Sequence, residues 1–282
     1  MADIKRFVCC HQPVFVPEHP LLVPIQVGSA LAKERFPGFL HDDEGENISH
    51  KNRSYCELTA QYWAWTNANA DYCGFFHYRR YIYPDLNAKW PYRVERTPSS
   101  ALLKKLRYDR FEEIISQYDL IEPIGENMYI PVQEHYARGP YHHRRDLELI
   151  KQIIRENYSE MLEAAETYLA GTVCYFGNIY VMRHDVLHDY CSWVFRVLQE
   201  FDHRCDISGY SLQERRVDGY LAERLFGIYL TFRRKDFKVL ELPKIHFCAD
   251  GMFVRQKVLN SLLPPGTARR AGVKRLVFPE SE

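Results

Sequence analysis

The feature that most constrains this chain is the alternation of short apolar runs with amphipathic stretches. Apolar runs lie at 7–10, 21–27, 71–76, 118–122, 173–182 and 237–242. Each is too short for a buried helix and reads as a strand, the run over 173–182 as a strand pair or one bent strand around Gly177-Asn178. Between them, Leu58, Tyr62 and Trp65 fall at spacings of four and three, which predicts a helix over 57–67. Leu149, Ile153, Tyr158, Met161 and Leu162 predict one long helix over 146–169. Leu187, Tyr190, Cys191, Val194, Val197, Leu198 and Phe201 keep helical register over 185–201, and 101–118 and 217–230 also read as helical. Residues 37–55, 84–100 and 125–145 read as irregular, the second because Pro84, Pro91 and Pro98 interrupt it. Strands alternating with helices predict an α/β fold, a sheet flanked by helices.

A chain of 282 residues, 46% hydrophobic and 26% charged, can bury a core without disulfides or metals. Lys plus Arg and Asp plus Glu number 37 each, so no global field draws the chain to nucleic acid. The eight cysteines form no C-x-x-C and sit mostly in apolar runs, where a free thiol packs as a small hydrophobe. With no signal-peptide pattern after Met1 and no apolar run near the roughly 18 residues of a membrane span, the expectation is a reduced, cytoplasmic protein. Aromatics reach 14%, which serves a ring-rich core and equally serves stacking on sugars.

Four constellations carry chemistry. The strand at 71–76 runs into His77-Tyr78-Arg79-Arg80, placing cations beyond a strand's carboxyl end, where open α/β sheets bind ligands. The planar fork of arginine suits diphosphate oxygens; a basic surface turn paired to carboxylates is the alternative. Asn47, Ser49, Asn52 and Glu57 offer amides, a hydroxyl and a carboxylate to a ligand. Ser54 and Glu57 also have the spacing of a capping box. Gly177-Asn178 reads either as a close backbone approach with a sugar-gripping amide or as a β-bulge. Asp218 and Glu223 lie near a helix start: Asp218, nearer the loop, is the first candidate for a general base, and Glu223 is a candidate ion pair.

Weaker signals complete the survey. His184 and His188 have zinc-helix spacing but no accompanying Glu or third ligand. His142-His143-Arg144-Arg145 reads as a solvated turn or an acceptor contact. No Asp-x-Asp follows a strand, so no metal ligands are assigned; a divalent ion stays open as a cofactor, and no other cofactor is implied. Beyond residue 251, Arg255, Lys257, Arg269, Arg270, Lys274 and Arg275 intersperse with Val258, Leu259, Leu262, Leu263, Val273, Leu276, Val277 and Phe278. That mix suits an anionic membrane or a self-packed tail, with Pro264-Pro265-Gly266 breaking any helix.

The blocks 57–65 (Glu-Leu-Thr-Ala-Gln-Tyr-Trp-Ala-Trp) and 74–81 (Gly-Phe-Phe-His-Tyr-Arg-Arg-Tyr) resemble a family of bacterial capsular and exopolysaccharide biosynthesis domains associated with galactofuranosyltransferases. The likeness continues through 24–28, Asn47-Ile48-Ser49, Asn52, 177–182 and 219–225, spanning roughly 6–245. It implies a single glycosyltransferase-A-like domain, a Rossmann-type mixed sheet flanked by helices. Domain bounds are set at 1–250, a nucleotide-binding half to about 125 and an acceptor half after it, with a basic, apolar extension over 251–282.

The resemblance further implies UDP-galactofuranose as donor and a surface glycan (capsule, O-antigen or exopolysaccharide) or lipid-linked oligosaccharide as acceptor. Donor contacts are expected from His11, Gly28, Asn47, Asn52, Glu57, His77, Arg79 and Arg80, and acceptor contacts from His142 and Asn178. Asp218, Glu223, Arg79 and Arg80 are the expected catalytic set, the cations neutralising the departing diphosphate. The expected location is cytoplasmic, with the tail able to sit peripherally on the inner membrane face. Two rivals stand beside this reading: another UDP-sugar such as galactopyranose, and a carbohydrate-binding module without catalysis.

Overall fold

The computed structural model describes residues 2–277, with side chains as far as Val273; the remainder of the tail pattern, Lys274 to Phe278, lies outside the described side chains. Ten strands form one sheet. In chain order they are β1 (Ile4–Cys10), β2 (Leu22–Gln26), β3 (Leu40–His41), β4 (Tyr72–His77), β5 (Arg80–Ile82), β6 (Tyr92–Glu95), β7 (Leu120–Pro123), β8 (Tyr180–Arg183), β9 (Val239–Leu242) and β10 (Lys244–Phe247). The main path runs β9-β7-β8-β4-β1-β2-β3. Strands β3, β2, β1 and β4 are mutually parallel, while β8 runs antiparallel to both of its neighbours. The result is a mixed sheet.

Both faces of the sheet are covered, which explains why its strands read as continuous apolar runs rather than alternating ones. Period-two side chains divide between two cores. Phe7 and Cys9 of β1, Cys73 and Phe75 of β4, and Tyr180 and Met182 of β8 point into one. Val8, Cys10, Phe76 and Val181 point into the other. The larger core is closed by α1 (Leu58–Asn67), α2 (Arg144–Asn157), α3 (Leu162–Ala170), α4 (His184–Arg204) and α5 (Val217–Arg233). A further pair, α6 (Asp250–Leu262) and α7 (Ala268–Val277), follows β10. This is the glycosyltransferase-A-like arrangement, a central mixed sheet flanked by helices.

Several boundaries differ from the sequence reading. The helix expected over 146–169 is two helices, because Tyr158 leaves the helical region (φ −143°, ψ 51°) and a tight turn, Ser159–Met161, intervenes. Ser54 caps nothing: residues Asn52–Tyr55 already form a helical turn, Cys56 breaks it at φ 52°, and Glu57 itself is the N-cap of α1. The loop expected over 84–100 contains β6, and a tenth strand follows Pro243 where one run ending at 242 was read. Within 101–118 two short helices, Ser100–Lys105 and Phe111–Ile115, replace one, and 125–145 holds a short helix, Val132–Ala137. Of the two readings of the run over 173–182, a strand pair or one bent strand, the structure has two strands. The run splits into Val173–Cys174 and β8, separated by a turn in which Gly177 (φ 99°) and Asn178 (φ 49°) are both left-handed. The break at 264–266 stands as expected, between α6 and α7.

Candidate active site

Strand β4 does not simply end at His77. It turns through Tyr78 and Arg79 into β5, so the His-Tyr-Arg-Arg block is a hairpin at the carboxyl edge of the sheet. The turn is anchored from the neighbouring strands: Tyr78 N donates to Cys9 O (3.1 Å), and Phe247 N donates to Arg79 O (2.8 Å). His11, just beyond β1, lies with its ring 5.0 Å from Tyr78 and 6.4 Å from His77. His246 of β10 stands over Arg80 in the β-ladder and stacks on Tyr92 at 4.2 Å.

Electrostatics follow from this crowding. Burial first, then Arg80, Arg79, His11 and Arg216, push the His77 pKa down to about 2. Its Nδ1 accepts the Arg79 backbone N–H at 3.2 Å, which requires an unprotonated nitrogen there. His246 is likewise driven to about 2 by burial and by Lys244, Arg80, Arg270 and Arg79. His11 is lowered by burial, Arg79 and Arg216. The histidines are therefore neutral at pH 7, and the positive charge of the corner rests on Arg79, Arg80 and Arg216. Among the described residues, none of these three guanidinium groups makes an ion pair with a carboxylate; Arg79 lies over the Tyr78 ring, and Arg216 donates to Cys56 Sγ at 3.4 Å.

Beside the arginines, the left-handed turn at 177–178 holds two carboxylates in succession. Gly177 N donates to Glu223 Oε1 at 2.6 Å, and Asn178 Nδ2 donates to Glu57 Oε1 at 2.9 Å. A Cβ on Gly177 would sit 3.4 Å from Arg80 Nη1, so the turn and the hairpin are in contact. Asn178 is buried and also donates to Gly219 O, tying β8, α1 and α5 together. Burial is the first cause raising the Glu57 pKa, and Glu223 adds to it. Glu223 Oε2 accepts from Arg224 Nη1 at 2.7 Å. Phe176, Asn178 and Glu223 line a crevice here with no room for even a water molecule. A sugar diphosphate does not fit in it.

The other expected site residues fall in three places. His142 is near the corner: its ring contacts Tyr220 at 4.4 Å, and Tyr220 lies under Arg216 at 5.5 Å. Burial and Arg224 lower its pKa to about 4. Gly28, Asn47 and Asn52 instead build the loop after β2. Asp42 is fully buried there and accepts from Gly28 N (2.8 Å), Ser29 N (2.9 Å), Ser49 Oγ and Thr59 Oγ1 (2.5 Å each). Asn52 donates to Cys56 O and Thr59 Oγ1, and Asn47 donates to Asp43 O and Gly45 O, so their amides are engaged within the loop.

Asp218 stands apart from the corner. Its side chain is fully buried and accepts from Ser54 Oγ, close to Asp202, which takes Lys51 Nζ at 2.7 Å. Burial, then Asp202, raises its pKa to about 8. Sequence reasoning did not single out Arg216 or His246. Arg216 directly precedes a helix start, a readable signal; His246 lies in a strand that was not recognised.

Comparison with known proteins gives three findings. No curated protein matches the chain. Among solved structures, WbbM, a bifunctional glycosyltransferase in its apo form, superposes with a TM-score of 0.82 at 31% identity, over 87% of this chain and 45% of that one. The chain thus spans a little under half the length of that neighbour. A family described as a domain of unknown function, DUF4422, matches residues 5–235, and the chain belongs to it.

Proposed function

We propose that this protein is a glycosyltransferase that moves galactofuranose from UDP-galactofuranose onto a growing surface-polysaccharide acceptor, on the cytoplasmic side of the membrane. One observation carries the reaction class: three guanidinium groups with no carboxylate partner among the described residues converge at the carboxyl edge of the sheet, beside two oriented carboxylates. The likeness to a bifunctional glycosyltransferase supports it. The Glu-Leu-Thr-Ala and His-Tyr-Arg-Arg blocks support the choice of sugar. In this reading residues 1–250 act as one domain, with the nucleotide over the first half and the acceptor approaching from the second.

In the proposed step, an acceptor hydroxyl oxygen bonds to the anomeric carbon while the bond from that carbon to the diphosphate breaks. The bonding pair leaves with UDP, and charge grows on its phosphate oxygens. Arg79, Arg80 and Arg216 take up that charge, an electrostatic role for cations at the carboxyl edge of the sheet. Neutral His77 and His11 line the corner without adding charge. The hydroxyl proton passes to Glu223, whose position is fixed by Gly177 N–H and Arg224. Glu57, held by Asn178, accepts from a sugar hydroxyl, and His142 contacts the acceptor.

Incubation with a panel of UDP-sugars and a lipid-linked acceptor mimic, read by product mass, tests the proposal. A hexose added only from UDP-galactofuranose is expected. Product from UDP-galactopyranose alone would change the sugar. No product together with no UDP binding by calorimetry would favour the carbohydrate-binding module. Arg79→Ala and Arg80→Ala are each expected to lower kcat by about 10²–10³ with the fold intact, by analogy with loss of one oxyanion donor. Full turnover in excess chelator would show that the arginines suffice without a divalent ion.

A further inference from the structure

The C-terminal pair α6 and α7 has a surface that neither the fold nor the catalytic reading uses. Val254, Val258 and Leu262 recur every fourth residue on α6 and are 55%, 54% and 72% exposed, with Met252 beside them at 65%. Three such residues on one helical stripe form a continuous apolar ridge. No side chain of α6 is buried. The inner face, Phe253, Gln256 and Asn260, contacts the protein.

Charge separates this segment from the rest of the chain. The whole sequence is neutral, with 37 residues of each sign, yet 251–277 holds six Lys and Arg and no Asp or Glu. Arg255, Lys257 and Arg269 are exposed. Of the described carboxylates beside this segment, Asp250 pairs with Arg96 at 3.1 Å and Glu95 with Arg93; Glu280 and Glu282, which follow it, lie outside the described residues. The pair of helices is also held as a unit. Arg270 is buried and donates to Asn260 Oδ1 (2.6 Å) and Leu263 O (3.0 Å), stapling α7 onto α6. Tyr129 OH donates to Gly266 O at 3.1 Å, and Pro91 packs by Gly266, joining the turn to the loop that exposes Leu86, Lys89 and Trp90.

We infer that this face docks the protein on an anionic lipid surface, with the Val254-Val258-Leu262 ridge at headgroup depth and Arg255, Lys257 and Arg269 against the phosphates. An apolar stripe flanked by cations with no acid among them is complementary to a negatively charged bilayer surface. Exposed Trp90 on the adjoining loop adds an amphipathic ring suited to the interface. Strand β10 carries His246 at the arginine corner and enters α6 at Asp250. If the proposed transferase reading holds, docking brings the corner to the surface where a lipid-linked acceptor resides; the docking itself does not depend on that reading.

Co-sedimentation of the full chain with vesicles tests the inference. Binding to phosphatidylglycerol-containing vesicles is expected to exceed binding to pure phosphatidylcholine by at least about 10-fold and to fall in high salt. Leu262→Asp and Val258→Asp should each remove most of the binding. Arg255→Ala with Lys257→Ala should reduce it several-fold. All of these variants should leave thermal melting and UDP affinity unchanged. Equal binding to neutral and anionic vesicles, or none to either, overturns the inference. A salt-insensitive dimer abolished by Leu262→Asp also overturns it, by assigning the ridge to a second copy. Failure of UDP binding with vesicle binding intact would instead strike the transferase reading alone.

Discussion

Asp218 and Glu223 are five positions apart on α5, but they occupy opposite environments. Asp218 is sealed in protein with its pKa raised to about 8 from 3.8, burial being the first cause. Below about pH 4 both folded and unfolded chains hold this proton. As pH rises from 4 to 8, the unfolded chain releases it and the folded chain does not, so stability falls across that window and levels off above it. Glu122, raised to about 8 chiefly by burial, acts in the same direction. Asp218→Asn is therefore expected to flatten part of the decline in melting temperature between pH 5 and 8 and to keep turnover. Glu223→Gln should keep the pH profile of stability and lose turnover by about 10²-fold or more. The opposite pattern, read by melting and initial rates on the same samples, would return the base role to Asp218. The sequence marks Arg79 and Arg80 because they follow a strand's end, Asn178 because it follows a glycine inside an apolar run, and Glu223 because it lies near a helix start, but only the fold brings the four to one edge of the sheet. Gly28, Asn47 and Asn52 looked equally polar, but only coordinates show their groups engaged around Asp42.

At the scale of elements, strong periodicity was readable and weak periodicity was not. The strands β1, β2, β4, β7 and β8 and the helices α1, α4 and α5 emerge from apolar runs and 3.6-residue spacing because a two-sided core writes them into the sequence. Strands β5, β6 and β10 are no shorter than β7 and β8 by more than a residue, but they carry Arg80, Arg93, Glu95, Lys244 and His246 and border Pro84, Pro91 and Pro243, so no apolar run marks them. The break between α2 and α3 was hidden because Tyr158, Met161 and Leu162 continue the apolar spacing straight through it. Packing between α3 and α5 depends on one small residue. A Cβ on Gly227 would collide with the Tyr168 ring, which is itself buried. Gly227→Ala is expected to cost about 1–3 kcal/mol by overpacking, or several degrees of melting temperature. Gly227→Ala combined with Tyr168→Phe would recover little, because the ring carbons as well as the hydroxyl are in the way.

For the molecule as a whole, a net charge of zero conceals a local concentration of positive charge at one edge of the sheet. UDP affinity should therefore fall several-fold on going from about 50 mM to 500 mM salt, while the affinity for an uncharged glycan stays level; calorimetry at the two ionic strengths measures both. The family match ends at residue 235, yet the sheet continues through β9 and β10. The arginine hairpin takes its flanking strand from the far end of this stretch, since Arg80 lies against His246, more than 160 residues later. A ribosome thus releases the two arginines long before it makes the strand that braces them. Nascent chains halted short of that strand carry the hairpin with one side of its backbone unpaired, so the corner is braced only once residues 244–247 have been made, long after the arginines themselves.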